Sequence, residues 1–296
     1  MNSDYQSALN GTLQSPKPKS APALNGLLLW NNLPIALNMY FIDATGYRVF
    51  LKQIPAKAQK VSIKNAEPND WLLFTVAASG AFVRVMQISK NQTKYAVNFV
   101  QLTLPFDIGP IPQPTLTQYI PQDSASILIA CGTLPQNNTV TREQYWHLQG
   151  DSYSLAPGEM RTISYTVTTG KQDTSSTQAT ISTQLGFNAS DGWGPVSAGL
   201  SSSLNASAAV SQQVTISEQA TSYVSTTVKN DTDDAQLVLR WQLVDLLTIF
   251  NSKNDPVASV NMDSIVIVQS YREGSLKGAI AMPPVENFTS DIEVGE

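Results

Sequence analysis

From Val196 to Ser217 the side chains alternate between two kinds, and none is charged. One row reads Val196, Ala198, Leu200, Ser202, Leu204, Ala206, Ala208, Val210, Gln212, Val214 and Ile216. The other reads Ser197, Gly199, Ser201, Ser203, Asn205, Ser207, Ala209, Ser211, Gln213, Thr215 and Ser217. Successive side chains of a strand point to opposite faces, so this is a long strand with one small apolar face and one hydroxyl and amide face. The upstream segment repeats the pattern: Ala179, Ile181, Leu185, Phe187 and Ala189 alternate against Thr180, Ser182, Gln184, Gly186 and Asn188, with Thr183 breaking the apolar row. Ser190 to Pro195 joins the two arms through turn-forming residues, with Asp191, Gly192, Trp193, Gly194 and Pro195 at the tip. The expected element is a long amphipathic β-hairpin, about Thr174 to Ser211.

Its dimensions suit a bilayer. Eleven residues from Ala179 to Ala189 at ~3.3 Å each reach roughly 36 Å, or ~28 Å at a barrel tilt of about 40°, which is close to the hydrocarbon thickness. Between Asp173 and Glu218 the one charge is Asp191, and each basic residue on the lipid face of a barrel costs roughly 2 to 4 kcal/mol. A lone hairpin in lipid would leave its edge N–H and C=O groups unpaired, so several chains must close a barrel together. In such a barrel Ala179, Ile181, Leu185, Phe187, Ala189, Val196, Ala198, Leu200, Leu204, Ala206, Ala208 and Val210 face lipid. Thr180, Ser182, Gln184, Asn188, Ser197, Ser201, Ser203, Asn205 and Ser207 line the lumen, and Trp193 anchors the tip at the far interface. Ser/Thr-rich alternating strands also occur in soluble fibre and adhesin modules. A non-enzymatic lectin-like or fibre-like binding protein is therefore the alternative.

Composition excludes several other classes. Of 56 Ser and Thr residues, 26 fall between Thr162 and Thr227, so the hydroxyls concentrate in the hairpin region. Eighteen basic against 23 acidic side chains, with no basic run, leave no electrostatic footprint for nucleic acid. One histidine, His147, and one cysteine, Cys131, cannot build a Cys/His zinc site or a disulfide within the chain. No nucleophile elbow or phosphate-binding loop is present, so neither an enzyme nor a cofactor is expected. His147 and Cys131 read as structural residues, Asp233-Asp234 as a solvated turn, and Asp245 and Arg240 as residues that pair with neighbours inside an apolar strand. The first residues carry no basic n-region followed by an apolar run, so no secretory leader is expected there, and a protein of this kind is expected to act outside the cell that makes it.

Along the chain the reading is all-β. A flexible N-terminus (1–24) precedes a β-sandwich (25–104) with strands at Ile35–Ile42, Tyr47–Ile54, Trp71–Ala77 and Ala81–Ile88. Five prolines between Leu104 and Gln122 mark a linker (105–122). The second module (123–275) carries strands at Ala125–Cys131, Gln144–Leu148, Gln236–Phe250 and Ser264–Tyr271, and an acidic tail (276–296) follows.

Residues Ser154 to Phe250 resemble the aerolysin-like β-pore-forming toxins, including the monalysin type. The resemblance rests on Leu155-Ala156-Pro157-Gly158-Glu159 leading into Thr162 to Gly170, the two-faced hairpin, a return through Thr215 to Lys229, and Leu237 to Gln242. It implies soluble monomers that bind a cell surface through a protein or glycan receptor, form homo-oligomers and insert one hairpin per subunit. A second protein component and removal of the tail are compatible with it. The first module is similar to the β-sandwich of the von Hippel–Lindau protein in Pro34 to Leu37, Phe41 to Val49 and Trp71 to Phe74, which implies fold only. Trp30, Tyr40, Tyr47 and Trp71 are its candidate surface-binding residues, with core packing as their alternative use.

Overall fold

The structure, a computed structural model, describes residues 14–15, 27–63, 67–98, 123–134, 137–171, 187–188, 192–193, 220–261 and 266–272. The N-terminus, the proline-rich linker, most of the hairpin and the acidic tail lie outside these residues. The described chain is all-β. Its first half holds β1 (Leu27–Asn31), β2 (Leu37–Ile42), β3 (Arg48–Ile54), β4 (Val61–Ile63), β5 (Trp71–Val76), β6 (Phe82–Gln87) and β7 (Lys94–Val97). The second half holds β8 (Ile127–Thr133), β9 (Thr139–Leu155), β10 (Met160–Lys171), β11 (Phe187–Asn188), β12 (Gly192–Trp193), β13 (Ala220–Lys229), β14 (Gln236–Phe250), β15 (Pro256–Asn261) and β16 (Val266–Arg272).

One sheet runs through both halves in the order β13-β10-β15-β14-β9-β8-β6-β5-β2-β3, with β16 also on β14. The join is the parallel contact of β6 with β8, where Phe82 stands opposite Ile127 and its N–H donates to Ser126 O at 2.7 Å. A second sheet, β4-β1-β7, covers the first half. Leu29, Tyr95 and Val97 from it pack on Leu37, Met39, Phe74 and Val76, so this part is a two-layer sandwich. The opposite face of the same strands is buried too: Ile42, Leu73 and Phe82 join Ile127, Ile129, Trp146, Leu239 and Trp241 in a core shared by the two halves. Burial on both sides explains the unbroken apolar run of β5, where Leu72 and Phe74 point one way and Leu73 the other.

Local chemistry places the turns. Asp43 Oδ1 accepts from the Thr45 N–H at 2.8 Å and the Tyr47 N–H at 2.9 Å, and Gly46 takes φ 80°, closing β2 onto β3. Gly80 at φ 77° does the same between β5 and β6. β14 coincides with the expected Gln236–Phe250 strand, whereas β9 extends well beyond the expected Gln144–Leu148. The flanks of β9 are polar, and tertiary partners hold them in the sheet. Arg142 Nε donates to Asp245 Oδ1 at 2.9 Å, Gln144 Nε2 donates to Asp245 Oδ2 at 2.8 Å, and all three residues are buried. The partner that Asp245 was expected to find is thus Arg142. Arg240 instead lies over the Tyr165 ring, 4.3 Å from its centroid.

Candidate functional site

The base of the hairpin region is described, and it is built as a two-stranded stem. β10 and β13 pair antiparallel from Met160 opposite Lys229 to Thr169 opposite Ala220, without a register shift. The stem is two-faced. Ile163, Tyr165 and Val167 are buried against Leu155 and Val238, with Val224, Val228, Val266 and Val268 packed around them. Thr162, Ser164 and Thr166 are exposed, opposite Thr227, Ser225 and Tyr223. Thr162 and Thr227 bring their hydroxyls to 3.1 Å, and Tyr223 is 72% exposed. The buried row of β10 therefore occupies odd positions, which is the parity of Ala179, Ile181, Leu185, Phe187 and Ala189 further along.

The stem is held at its root by Asn230, which has no exposed surface. Its Nδ2 donates to Leu155 O at 3.0 Å and to Asp234 O at 2.8 Å, while its Oδ1 accepts from the Thr232 N–H at 3.0 Å and the Thr232 hydroxyl at 2.7 Å. Its own N–H donates to Glu159 O, and its carbonyl accepts from the Gly158 N–H, both at 2.9 Å. One residue thus ties the β9–β10 turn to the β13–β14 turn. Gly158, at φ 76°, supplies the left-handed backbone that the first turn needs. Asp234, expected to be solvated, forms an ion pair with Arg272 at the rim of the second turn.

At the far end, β11 and β12 pair with Phe187 opposite Trp193 and Asn188 opposite Gly192. Trp193, expected at the tip, thus stands in the second of these strands, opposite Phe187 in the register. The other proposed lipid-facing, lumen-facing and tip residues lie outside the described residues.

The aromatic candidates are not brought together. Trp30 is half-buried on the small sheet. Tyr40 and Trp71 pack against the shared core, and Tyr47 at the β2–β3 turn is 60% exposed. Phe50, which sequence reading did not single out, is 55% exposed and meets Tyr40 edge-on at 5.6 Å between centroids. Cys131 is partly buried against the first core, and burial pushes its thiol up to about 12. His147 is about half exposed, with Nδ1 2.8 Å from Asp123 Oδ2. Among the described residues no cluster of His, Cys, Asp and Glu could hold a metal ion. No helix there is long and apolar enough to cross a membrane.

No protein-family profile matches the chain, and no curated protein matches it. Among solved structures the chain is similar to one titled "Crystal structure of Cry35Ab1", at 15% identity and a TM-score of 0.39, over 77% of this chain and 72% of that one. A likeness of that size carries no argument about function, and the all-β assignment rests on the strands themselves.

Proposed function

We propose that the chain is a β-pore-forming protein whose soluble subunits associate on a target membrane and each contribute the segment between β10 and β13 as one hairpin of a shared barrel. The observation that carries this reading is the register of the stem. Continued without a slip from Thr169 opposite Ala220, it sets Ile181 opposite Ala208, Leu185 opposite Leu204 and Ala189 opposite Leu200. The same register sets Ser182 opposite Ser207, Gln184 opposite Asn205 and Asn188 opposite Ser201. Cross-strand partners share a face, so the two apolar rows fall together on one side and the polar rows on the other. In the same continuation Lys171 would stand opposite Glu218 at the base and Trp193 opposite Val196 at the end. Gly194-Pro195 is left as a two-residue turn with glycine in the first central position, as a type II′ turn requires.

Two alternating arms can meet in either of two parities, and the ten pairs of the stem set the one that puts apolar beside apolar. The low charge and the span of the arms support the same reading, since lipid accepts such a face and water in the lumen solvates the other. The driving force is transfer of the apolar row into lipid at ~25 cal/mol per Å², together with ladder hydrogen bonds between subunits. The protein acts outside the cell that makes it, through a receptor of protein or glycan character.

Dye release from liposomes and from target cells, with recovery of heat-resistant oligomers, tests the proposal. Leu200→Arg is the diagnostic variant: it abolishes release while leaving folding and surface binding intact. Undiminished release by that variant would remove the hairpin from the pore and leave a soluble binding module.

A further inference from the structure

One concave site is built on the sheet face beside the stem. Tyr145, His147 and Gln149 from β9 face Gln242, Val244 and Leu246 from β14, and Ser259 and Asn261 from β15 close the far side around a cup of about 410 Å³. That volume is within the ~300–1,000 Å³ of small-molecule sites. Asn261 stands opposite Gly170, which has no side chain to fill the space. Asn261 is only 6% exposed, and its side-chain oxygen has no hydrogen-bond partner among the described residues. A buried carbonyl oxygen left bare is costly unless a donor reaches it.

The rest of the lining narrows the chemistry of that donor. Asp123 accepts through both carboxylate oxygens, from the Leu148 N–H at 2.7 Å and from His147 Nδ1 at 2.8 Å. That places the proton of the neutral imidazole on Nδ1 and leaves Nε2 as an acceptor. Gln149 Nε2 donates to Gln242 Oε1 at 2.7 Å, which holds both amides in place. Tyr145 and Ser259 add hydroxyls, and Val244, Leu246 and the Tyr145 ring add an apolar floor. Among the described residues no Lys, Arg, Asp or Glu lines the cup. Acceptors, hydroxyls and an apolar surface without charge match a molecule that has hydroxyl donors around its edge and C–H groups on its face.

We propose that this cup binds a neutral sugar residue, with Asn261 Oδ1 and His147 Nε2 accepting from ligand hydroxyls and the Tyr145 ring lying against a C–H face. The site is independent of the pore reading, because binding is measured on the soluble monomer.

The test is calorimetric titration of the full chain with the methyl glycosides of glucose, galactose, mannose and N-acetylglucosamine. At least one should saturate the protein with a Kd of about 1 mM, the range expected for a single small polar ligand. Asn261→Leu and His147→Phe should each weaken that binding about tenfold or more. His147→Phe removes the Nε2 acceptor at a position that is about half exposed, so it decides the matter if Asn261→Leu does not fold. Absence of saturation by all four glycosides, equal binding by the His147→Phe variant, or preferential binding of inorganic phosphate would overturn the assignment.

Discussion

Thr169 stands opposite Ala220 at the outer end of the stem, whereas further along Phe187 stands opposite Trp193. The offset between these two registers is an odd number of residues. Continuing the second would therefore turn one arm over relative to the other, setting Ile181 opposite Gly199 and the apolar row of one arm against the polar row of its partner. Only the stem register matches apolar with apolar, so extension of the stem requires the Phe187–Trp193 pairing to open and the reversal to move to Gly194-Pro195. Paired cysteines at Ile181 and Ala208 should cross-link in membrane-assembled protein, and a pair at Ile181 and Gly199 should not. Cys131 can stay in place, since burial keeps its thiol protonated. The opposite cross-linking result would show that the stem register does not propagate.

Asn230 joins two turns with four side-chain hydrogen bonds. Asn230→Ala takes the side-chain donor from the Leu155 carbonyl and leaves the Asp234 carbonyl with the Thr232 hydroxyl at 3.1 Å, and should cost about 2 to 3 kcal/mol. Urea unfolding measures the loss. Asn230→Asp, which turns a buried carboxylate oxygen towards both carbonyls, should recover none of it.

The Arg142–Asp245 pair is buried on both sides, at 1% and 2% exposure. Asp245→Ala takes away the buried carboxylate to which the Arg142 guanidinium and the Gln144 amide both donate, and should destabilise by about 3 to 5 kcal/mol. The double variant Arg142→Met, Asp245→Leu should regain most of that, because an apolar pair avoids the desolvation cost. Equal loss in the single and double variants would place the effect in Gln144, which also donates to Asp245.

Glu143 is buried beside Ser79 and Ser126, whose hydroxyls approach it at 2.7 and 3.2 Å. Burial holds its carboxyl above the ordinary value of 4.5. Below that value both folded and unfolded chains are protonated. As pH rises past it the unfolded chain ionises first, so this group makes stability fall until the folded carboxyl ionises too. Glu143→Gln should therefore gain stability on the parent protein at pH 7 but not at pH 4. Denaturant midpoints at the two values check the sign.

Much of the fold is legible in the sequence where burial and period coincide. β14 is recognisable because it lies between strands on both sides, so its apolar run is long and uninterrupted. Its neighbour β9 is only partly so: the flank before Gln144 carries the charged Arg142 and Glu143, which are buried only because Asp245, Ser79 and Ser126 come to meet them. The short strands β1, β4 and β7 leave a weak local signal, and their pairing is decided across the sandwich. The two faces of the stem follow the alternation seen in its residues. The sugar cup was invisible, because Tyr145 and Asn261 are more than a hundred residues apart and only the β9-β14-β15 order places them on one face.

The sequence by itself determined which side chains share a face, because alternation follows from the covalent geometry of any extended chain. It also determined that the hairpin region carries almost no charge. Tertiary structure alone decided what covers the apolar face of the stem, where Arg142 finds its partner, and the register in which β10 meets β13. Register depends on contacts between residues distant in the chain, and no local pattern specifies those contacts.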